Sequence, residues 1–331
     1  MDDIYTPDEA RALMQAHSRA GGQRAAARDA QSNPLALAIE SGVRALGYAD
    51  IGNVDAPTRI KTPAVGSSQL DLTRALTMAG SEHGVFDLTA LRAGETSELD
   101  PLAVVRQYSM CARAGATLYV PPANIAPGYN FPGGAVNDTI LARVTHPATF
   151  AGVADGADVA VSNKPVLDES FSQSDMPAYA SRFTITRAER RALGGALLED
   201  ELTQAVMMGL GTLIDTIVMT AVAAATPTPF SFGKLAALHL GLGDVSAVVG
   251  TGGAGVKVWP DGEFRTAQGI PAKLTAGHAG SFIGVWNRAF VALWPTVAIH
   301  AKRTNTSGDL DISVFANAKC VLPDTSSFWA V

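Results

Sequence analysis

Gly250, Gly252 and Gly255 stand at G-x-G-x-x-G spacing directly after the apolar run Val245–Val249, and a loop of this kind can bare backbone N–H groups to a phosphate. A dinucleotide site needs its glycines to open a helix whose N-terminus holds the pyrophosphate. The residues that follow are VKVWPDGEF: Val256, Val258 and Trp259 favour a strand, Pro260 ends it, and Thr275 rather than an acid stands about twenty residues on. No Lys-Ser or Lys-Thr pair follows, as a P-loop requires. The stretch predicts a turn between two strands, with glycines supplying positive φ.

Other residue types capable of chemistry are equally short of context. In Gly277-His278-Ala279-Gly280-Ser281 the nucleophile elbow G-x-S-x-G is absent, and neighbours in a turn seldom face each other as base and nucleophile. The stretch predicts a polar turn, with a hydrolase using Ser281 and His278 as the catalytic alternative. The six histidines, His17, His83, His146, His239, His278 and His300, show no H-E-x-x-H or other short ligand spacing. Glu199, Asp200 and Glu201 are consecutive on a helix, point in different directions and are expected on a solvated face. Cys111 and Cys320 lie far apart, match no C-x-x-C pattern and are expected as reduced, buried thiols. No catalytic, cofactor-binding or metal-binding residue is assigned, and the chain is not expected to be an enzyme.

The chain has 331 residues, 47% of them hydrophobic, enough for a sizeable core and for one large or two modest domains. A formal charge of -6 argues against a basic groove that reads nucleic acid. The opening MDDIYTPDEARALMQAHSRA carries acids where a secretory signal would carry bases, so no export is expected.

Periodicity divides the sequence. Residues 1–115 predict short helices at Pro7–Ala20, Pro34–Leu46, Leu70–Met78 and Pro101–Ala114, with a polar segment Gly52–Gln69 between them. Such pieces make a poor core alone and are expected to form an arm lying over other subunits or other parts of the chain. From Leu118 to Phe171 the character is extended: Thr139–Phe150 and Asp158–Leu167 read as two strands of a long hairpin turning at Gly152–Gly156. Tyr119, Tyr129, Phe131 and Phe171 are projecting aromatics that need a partner, and Lys164 is the only lysine of this loop.

Thr186 and Glu189 then stand at capping-box spacing and open a helical stretch that stops at Thr226-Pro227. Leu198, Leu202, Val206, Leu210, Ile214 and Val218 recur at every fourth position, joined by Leu193, Leu197, Leu213 and Ile217. Gly194, Gly195, Gly209 and Gly211 predict a kink or two helices. Ala205–Ala225 is long enough to cross a bilayer, but Asp215 near its centre costs about 3 kcal/mol there, the leading flank is acidic, and no Lys or Arg follows before Lys234. A buried helix without membrane contact is the expectation. A short helix Phe232–Leu240 comes next, followed by strands at Val245–Val249, Val256–Trp259, Ile270–Leu274, Phe282–Trp286, Phe290–Trp294, Val297–Lys302 and Leu310–Leu322.

The serial order of these parts resembles the major capsid proteins of tailed bacteriophages, of the Hong Kong 97 type. FTITRAERRALGGALLEDELTQAV (Phe183–Val206) is similar to the strand that runs into that family's spine helix. FRTAQGIPAKLT with GSFIGVWNRAFVAL (Phe264–Leu293) resembles its axial domain, and DISVFANAKCVLPDTSSF (Asp311–Phe328) its closing strand. The resemblance covers residues 118–331 and implies an α+β fold: an N-terminal arm (1–117), an extended β-hairpin loop with a peripheral-domain strand (118–182), a long spine helix in the peripheral domain (183–226), and a β-rich axial domain with the closing peripheral-domain strand (227–331). It further implies self-assembly into pentamers and hexamers of an icosahedral shell around double-stranded DNA, which the acidic chain would touch non-specifically. Portal and decoration proteins are implied partners, the virion capsid the location, and the host cytoplasm the place of assembly. The loop 118–171 would lie over a neighbouring subunit, which makes Tyr119, Tyr129, Phe131, Lys164 and Phe171 candidate inter-subunit contacts. Some family members join a loop lysine to an asparagine; no partner for Lys164 is identifiable, and no cross-link is assigned. An encapsulin-like nanocompartment shell is the close alternative.

Overall fold

In the computed structural model, residues 31–48, 65–79, 81–82, 85–86, 96–121, 139–155, 158–172, 175–193, 195–305 and 308–331 are described. The expected helix Pro7–Ala20, Tyr129 and Phe131 lie outside them. The first half holds helix α1 (Pro34–Tyr48), strands β1 (Val65–Asp71), β2 (Leu76–Ala79), β3 (Ser81–Glu82), β4 (Val85–Phe86) and β5 (Thr96–Leu99), helices α2 (Pro101–Tyr108) and α3 (Met110–Arg113), and strands β6 (Thr117–Tyr119), β7 (Thr139–Thr145), β8 (Val166–Ser172) and β9 (Ala178–Ile185). After them come helices α4 (Arg187–Leu193), α5 (Gly195–Ala224) and α6 (Phe232–Ala237), then strands β10 (Ser246–Val249), β11 (Val256–Val258), β12 (Phe264–Thr266), β13 (Ala272–Leu274), β14 (Ser281–Gly284), β15 (Phe290–Leu293), β16 (Thr296–Arg303), β17 (Leu310–Val321) and β18 (Phe328–Ala330).

The long strand β17 organises the larger sheet. Its first half lies between β16 and β9, both antiparallel to it, and its second half pairs with β15. β1 extends the sheet beyond β16, and β6 joins β15 in parallel. Ile299, Ala301, Ile312, Val314 and Ala316 alternate inward from β16 and β17 and, with α5, close the main core.

The capping box forms as the spacing predicts: the Thr186 N–H donates to Glu189 Oε2 at 2.8 Å and the Glu189 N–H to Thr186 Oγ1 at 3.2 Å. The helical stretch is two helices, α4 and α5, dividing between Leu193 and Gly195. Gly211 is needed where α5 crosses the α2–α3 junction, because a Cβ there would stand 2.9 Å from the Ser109 nitrogen and the Tyr108 carbonyl carbon. Leu198–Ala224 is long and apolar enough to cross a bilayer, yet Met207, Ile214, Val218, Met219 and Val222 are buried in the chain's own core.

Several expectations are corrected. Leu70–Met78 is not a helix: Leu70 and Leu72, two apart, are both buried, and β1 pairs with β16. Pro101–Ala114 breaks at Ser109, which is extended and caps α3 by accepting the Ala112 N–H. Parts of the expected arm pack on the chain's own body, one of the two alternatives expected of it: Leu35, Ala38 and Ile39 of α1 and Val104 and Val105 of α2 are buried with α5. Strands β12 and β18 add to the β-rich second half, and the seven strands expected there are present within a few residues.

β10 shows how that half is built. Ala247 and Val249 enter a second core with Leu235, Ile270, Ile283, Val285 and Trp329, whereas Val248 enters the main core. Period-two alternation in one short strand thus fills both sides of the four-stranded sheet β13-β10-β14-β18.

Candidate functional site

The glycine stretch is a turn between β10 and β11. Its backbone donors are already used: Gly250, Thr251 and Gly252 donate to the carbonyls of Gly280, His278 and Ala279 at 3.0, 2.9 and 3.2 Å. Gly250 is obligatory because a Cβ would fall 2.1 Å from the His278 oxygen, and Gly253 and Gly255 take positive φ. The histidine-serine alternative has no dyad. His278 Nδ1 accepts from the Gly280 N–H at 2.8 Å, while Ser281 Oγ is buried with no hydrogen-bond partner.

The acidic cluster is not a solvated face, which corrects the expectation. Glu199 and Asp200 are both buried: Arg190 Nη2 lies 3.2 Å from Glu199, and Asn33 Nδ2 donates to Asp200. Burial pushes the Glu199 carboxyl up, against the pull of Arg190. These groups tie α4 and α1 to α5. Cys111 is buried with its thiol raised by desolvation, and burial pushes the Cys320 thiol up to about 12, so neither offers a thiolate near neutral pH. Among the described residues no group of three or more His, Cys, Asp or Glu side chains could hold a metal ion.

The hairpin is the exposed feature with chemistry to explain. β7 and β8 pair from Thr139↔Ser172 to Thr145↔Val166, and the His146 N–H donates to the Pro165 carbonyl at 2.8 Å. The second strand therefore starts later than expected and the turn spans 147–164 rather than Gly152–Gly156. The ladder is fastened to the body by one face, while most of β8 is exposed. Ala142, Phe171 and Met176 share a small core with Ala292 and Val321, and Lys319 Nζ sits 4.9 Å from the Phe171 ring centroid. At the neck, His146 Nε2 is 3.4 Å from Asp324 Oδ2, and the same carboxylate takes Arg288 Nη1 at 2.7 Å and the hydroxyls of Ser326 and Ser327.

Beyond His146 the described residues of the turn, 147–155 and 158–164, are all exposed. Phe150 is 94% exposed, Val159 75% and Val161 fully, with Val153 also open. Strand propensity hides these residues in the sequence, because Val and Phe there read as ladder interior. The expected contacts divide accordingly. Tyr119 is 43% exposed at the end of β6. Lys164 is exposed, 3.9 Å from Asp168. Phe171 is 7% exposed and belongs to the root of the hairpin, so it needs no partner and the reading of it as a projecting aromatic is corrected.

Asp324 gives this attachment a pH dependence. Burial raises its carboxyl, but the hydrogen bonds from Ser326, Ser327 and Arg288, with the field of His146, hold it below the usual carboxylate range. A lowered carboxyl stabilises the fold above its unfolded value near pH 4, and that stability is lost as pH falls through the folded value. Asp324→Asn is expected to be less stable than the parent at pH 7, with the gap closing toward pH 2. A gap that stays constant in thermal melts from pH 6 to 2 would show that the carboxylate charge contributes nothing.

No family model matches the chain, and no curated protein matches it. Solved structures resemble it at low identity. A chain titled as the asymmetric unit of the bacteriophage PhiM1 mature capsid is 9% identical, covers 67% of this chain and 86% of its own length, with a TM-score of 0.42. The virus-like particle from Pyrococcus furiosus is 10% identical, covering 70% and 95%, with a TM-score of 0.40. A structure titled Microbacterium phage Oxtober96 is 10% identical, covering 87% and 98%, with a TM-score of 0.40.

Proposed function

We propose that this chain is the repeating subunit of a viral shell, the major capsid protein of a tailed bacteriophage with the Hong Kong 97 type of fold. The carrying observation is the hairpin: its ladder is fixed to the core, while its tip presents Phe150, Val153, Val159 and Val161 to solvent. The ladder holds the root of the loop against the body, and apolar side chains exposed beyond it are stabilised by burial against another surface. In this reading 1–117 is the arm, 118–182 the loop and adjoining strand, 183–226 the spine region and 227–331 the axial region with the closing strand. The tip lies on a neighbouring copy, and copies close into pentamers and hexamers of an icosahedral shell around double-stranded DNA, with portal and decoration proteins as further partners. The role is structural, in the virion, after assembly in the host cytoplasm.

Electron microscopy and light scattering of the expressed chain test the proposal. Shells or capsomers of very high mass are expected; a stable monomer at micromolar concentration overturns it. Particles enclosing a cargo enzyme instead of DNA would select the nanocompartment alternative.

A further inference from the structure

The neck of the hairpin holds a buried polar atom that is not satisfied. His146 Nε2 is shut off from solvent and has no hydrogen-bond partner among the described residues, although the buried Asp324 Oδ2 stands 3.4 Å away. That separation is longer than the about 2.7–3.2 Å of an N–H···O bond. Asp324 itself is well supplied: Oδ1 accepts from the Ser326 N–H and hydroxyl, and Oδ2 from the Ser327 hydroxyl and Arg288 Nη1. A neutral imidazole has one N–H and one bare nitrogen, whereas the protonated ring donates from both. A hydrogen bond between charged partners is also shorter and about twice as strong as a neutral one. The field of His146 is among the causes that hold the Asp324 carboxyl down, so the two charged forms favour each other. Arg288 is charged throughout and anchors Asp324 without switching.

The contact lies where it can govern the ladder. The His146 N–H closes the ladder on Pro165, and by alternation its ring falls on the same face as the buried Ala142 and Val144. Ala142 and Phe171 pack the root of the ladder on the body, and His146 with Asp324 ties its far end. The other charged groups on these elements stand away from the ring. Glu169 of β8 is opposite Ala142, toward the root, where its charge helps push up the Cys320 thiol of β17, and Lys319 of β17 sits over Phe171. Arg143, Asp168 and Lys164 are joined to one another on the opposite, exposed face.

We infer that His146 is a proton-operated latch: protonated, it bonds Asp324 and holds the far end of the β7–β8 ladder on the body, and neutral, it lets that end go while the root stays packed. Histidine is the side chain whose charge changes between about pH 5 and 8. Asp324 stays charged through this range because its carboxyl is held below the ordinary carboxylate range, so falling pH adds the imidazole proton before it removes the carboxylate charge. The latch therefore closes in mild acid and opens as pH rises through the imidazole titration. It belongs to the single chain, does not depend on the assembly role, and sets how firmly the turn 147–164 is presented.

Hydrogen exchange of the unassembled full chain tests the inference, read as protection factors so that the pH dependence of the intrinsic rate cancels. Protection of the far-end ladder amides, His146 foremost, is expected to fall about fivefold or more between about pH 5.5 and pH 8, while amides of β16 and β17 stay unchanged and report an intact fold. His146→Gln is uncharged at both pH values yet can donate from its amide, and is expected to show no fall. Asp324→Asn removes the charged acceptor and is expected to abolish the fall as well. Equal protection of the parent at both pH values overturns the inference, and so does a fall that persists in either variant.

Discussion

Asp215→Ala is expected to destabilise the fold by about 3–5 kcal/mol, among the largest effects of any single substitution outside the apolar core. Asp215 is 1% exposed in the middle of α5, and its carboxylate accepts four hydrogen bonds. Oδ1 takes the Ser109 hydroxyl at 2.7 Å and the Cys111 N–H at 2.9 Å; Oδ2 takes the Met110 N–H at 2.9 Å and the Thr275 hydroxyl at 2.6 Å. One side chain thus joins the long helix, the start of α3 and the end of β13. Alanine strands two buried backbone donors and two hydroxyls together, and each unpaired group costs about 1–3 kcal/mol.

Asn is nearly isosteric, and it separates charge from shape. Each carboxylate oxygen accepts one backbone N–H, so whichever way the amide is turned, its NH2 group meets an N–H that cannot rotate away. The hydroxyls of Ser109 and Thr275 can turn to accept, but the Met110 or Cys111 N–H cannot. Asp215→Asn is therefore expected to lose most of what Asp215→Ala loses. Chemical denaturation of the parent and both variants decides the matter. A loss below about 1 kcal/mol for either variant would mean that water or a local shift satisfies these donors.

This carboxylate also shows what the sequence conceals. Asp215 stands out there only as an obstacle to a membrane span, because its donors lie over a hundred residues earlier or sixty later. Asp200 hides its burial for the same reason, since Asn33 is 167 residues from it. Local chemistry reads through well. Thr186 and Glu189 mark a helix start correctly because a capping box is complete within four residues. Seven of the strands from Val245 to Val321 are legible because turn residues bound each apolar run; β12 is not among them. Leu70–Met78 misleads because it is the end of one strand and the start of another: Leu70 and Asp71 pair with β16, more than two hundred residues away, and Leu76–Met78 with β5. The hairpin turn misleads in the opposite sense. Phe150 and Val161 have the propensity of strand residues but oppose no ladder partner, so propensity places them in pairs that tertiary structure does not form. Of the expected contact residues, Tyr119 and Lys164 lie on the surface, whereas the apolar tip that carries the proposed function is visible only once the ladder register is known.

Phe150→Asp combined with Val161→Asp is expected to abolish assembly while leaving the folded chain as stable as its parent. Both side chains are almost wholly in solvent, and neither belongs to a core cluster, so the substitutions should change stability by no more than about 0.5 kcal/mol. The balance differs if the tip is covered by a neighbour. Burying a Phe and a Val contributes about 1.5–3 kcal/mol each, and every subunit in a closed shell makes the contact once as donor and once as acceptor. Each 1.4 kcal/mol lost per contact raises the concentration needed to form it about tenfold. The new carboxylates also add to Asp155 and Asp158 on the same turn, so a variant tip would have to desolvate several like charges. Light scattering as a function of concentration, with a thermal melt of the unassembled protein as the folding control, separates the two effects. Shells that form at the parental concentration with the doubly charged tip would remove the hairpin from the assembly contact, since an apolar projection buried against another copy cannot take two uncompensated charges without weakening.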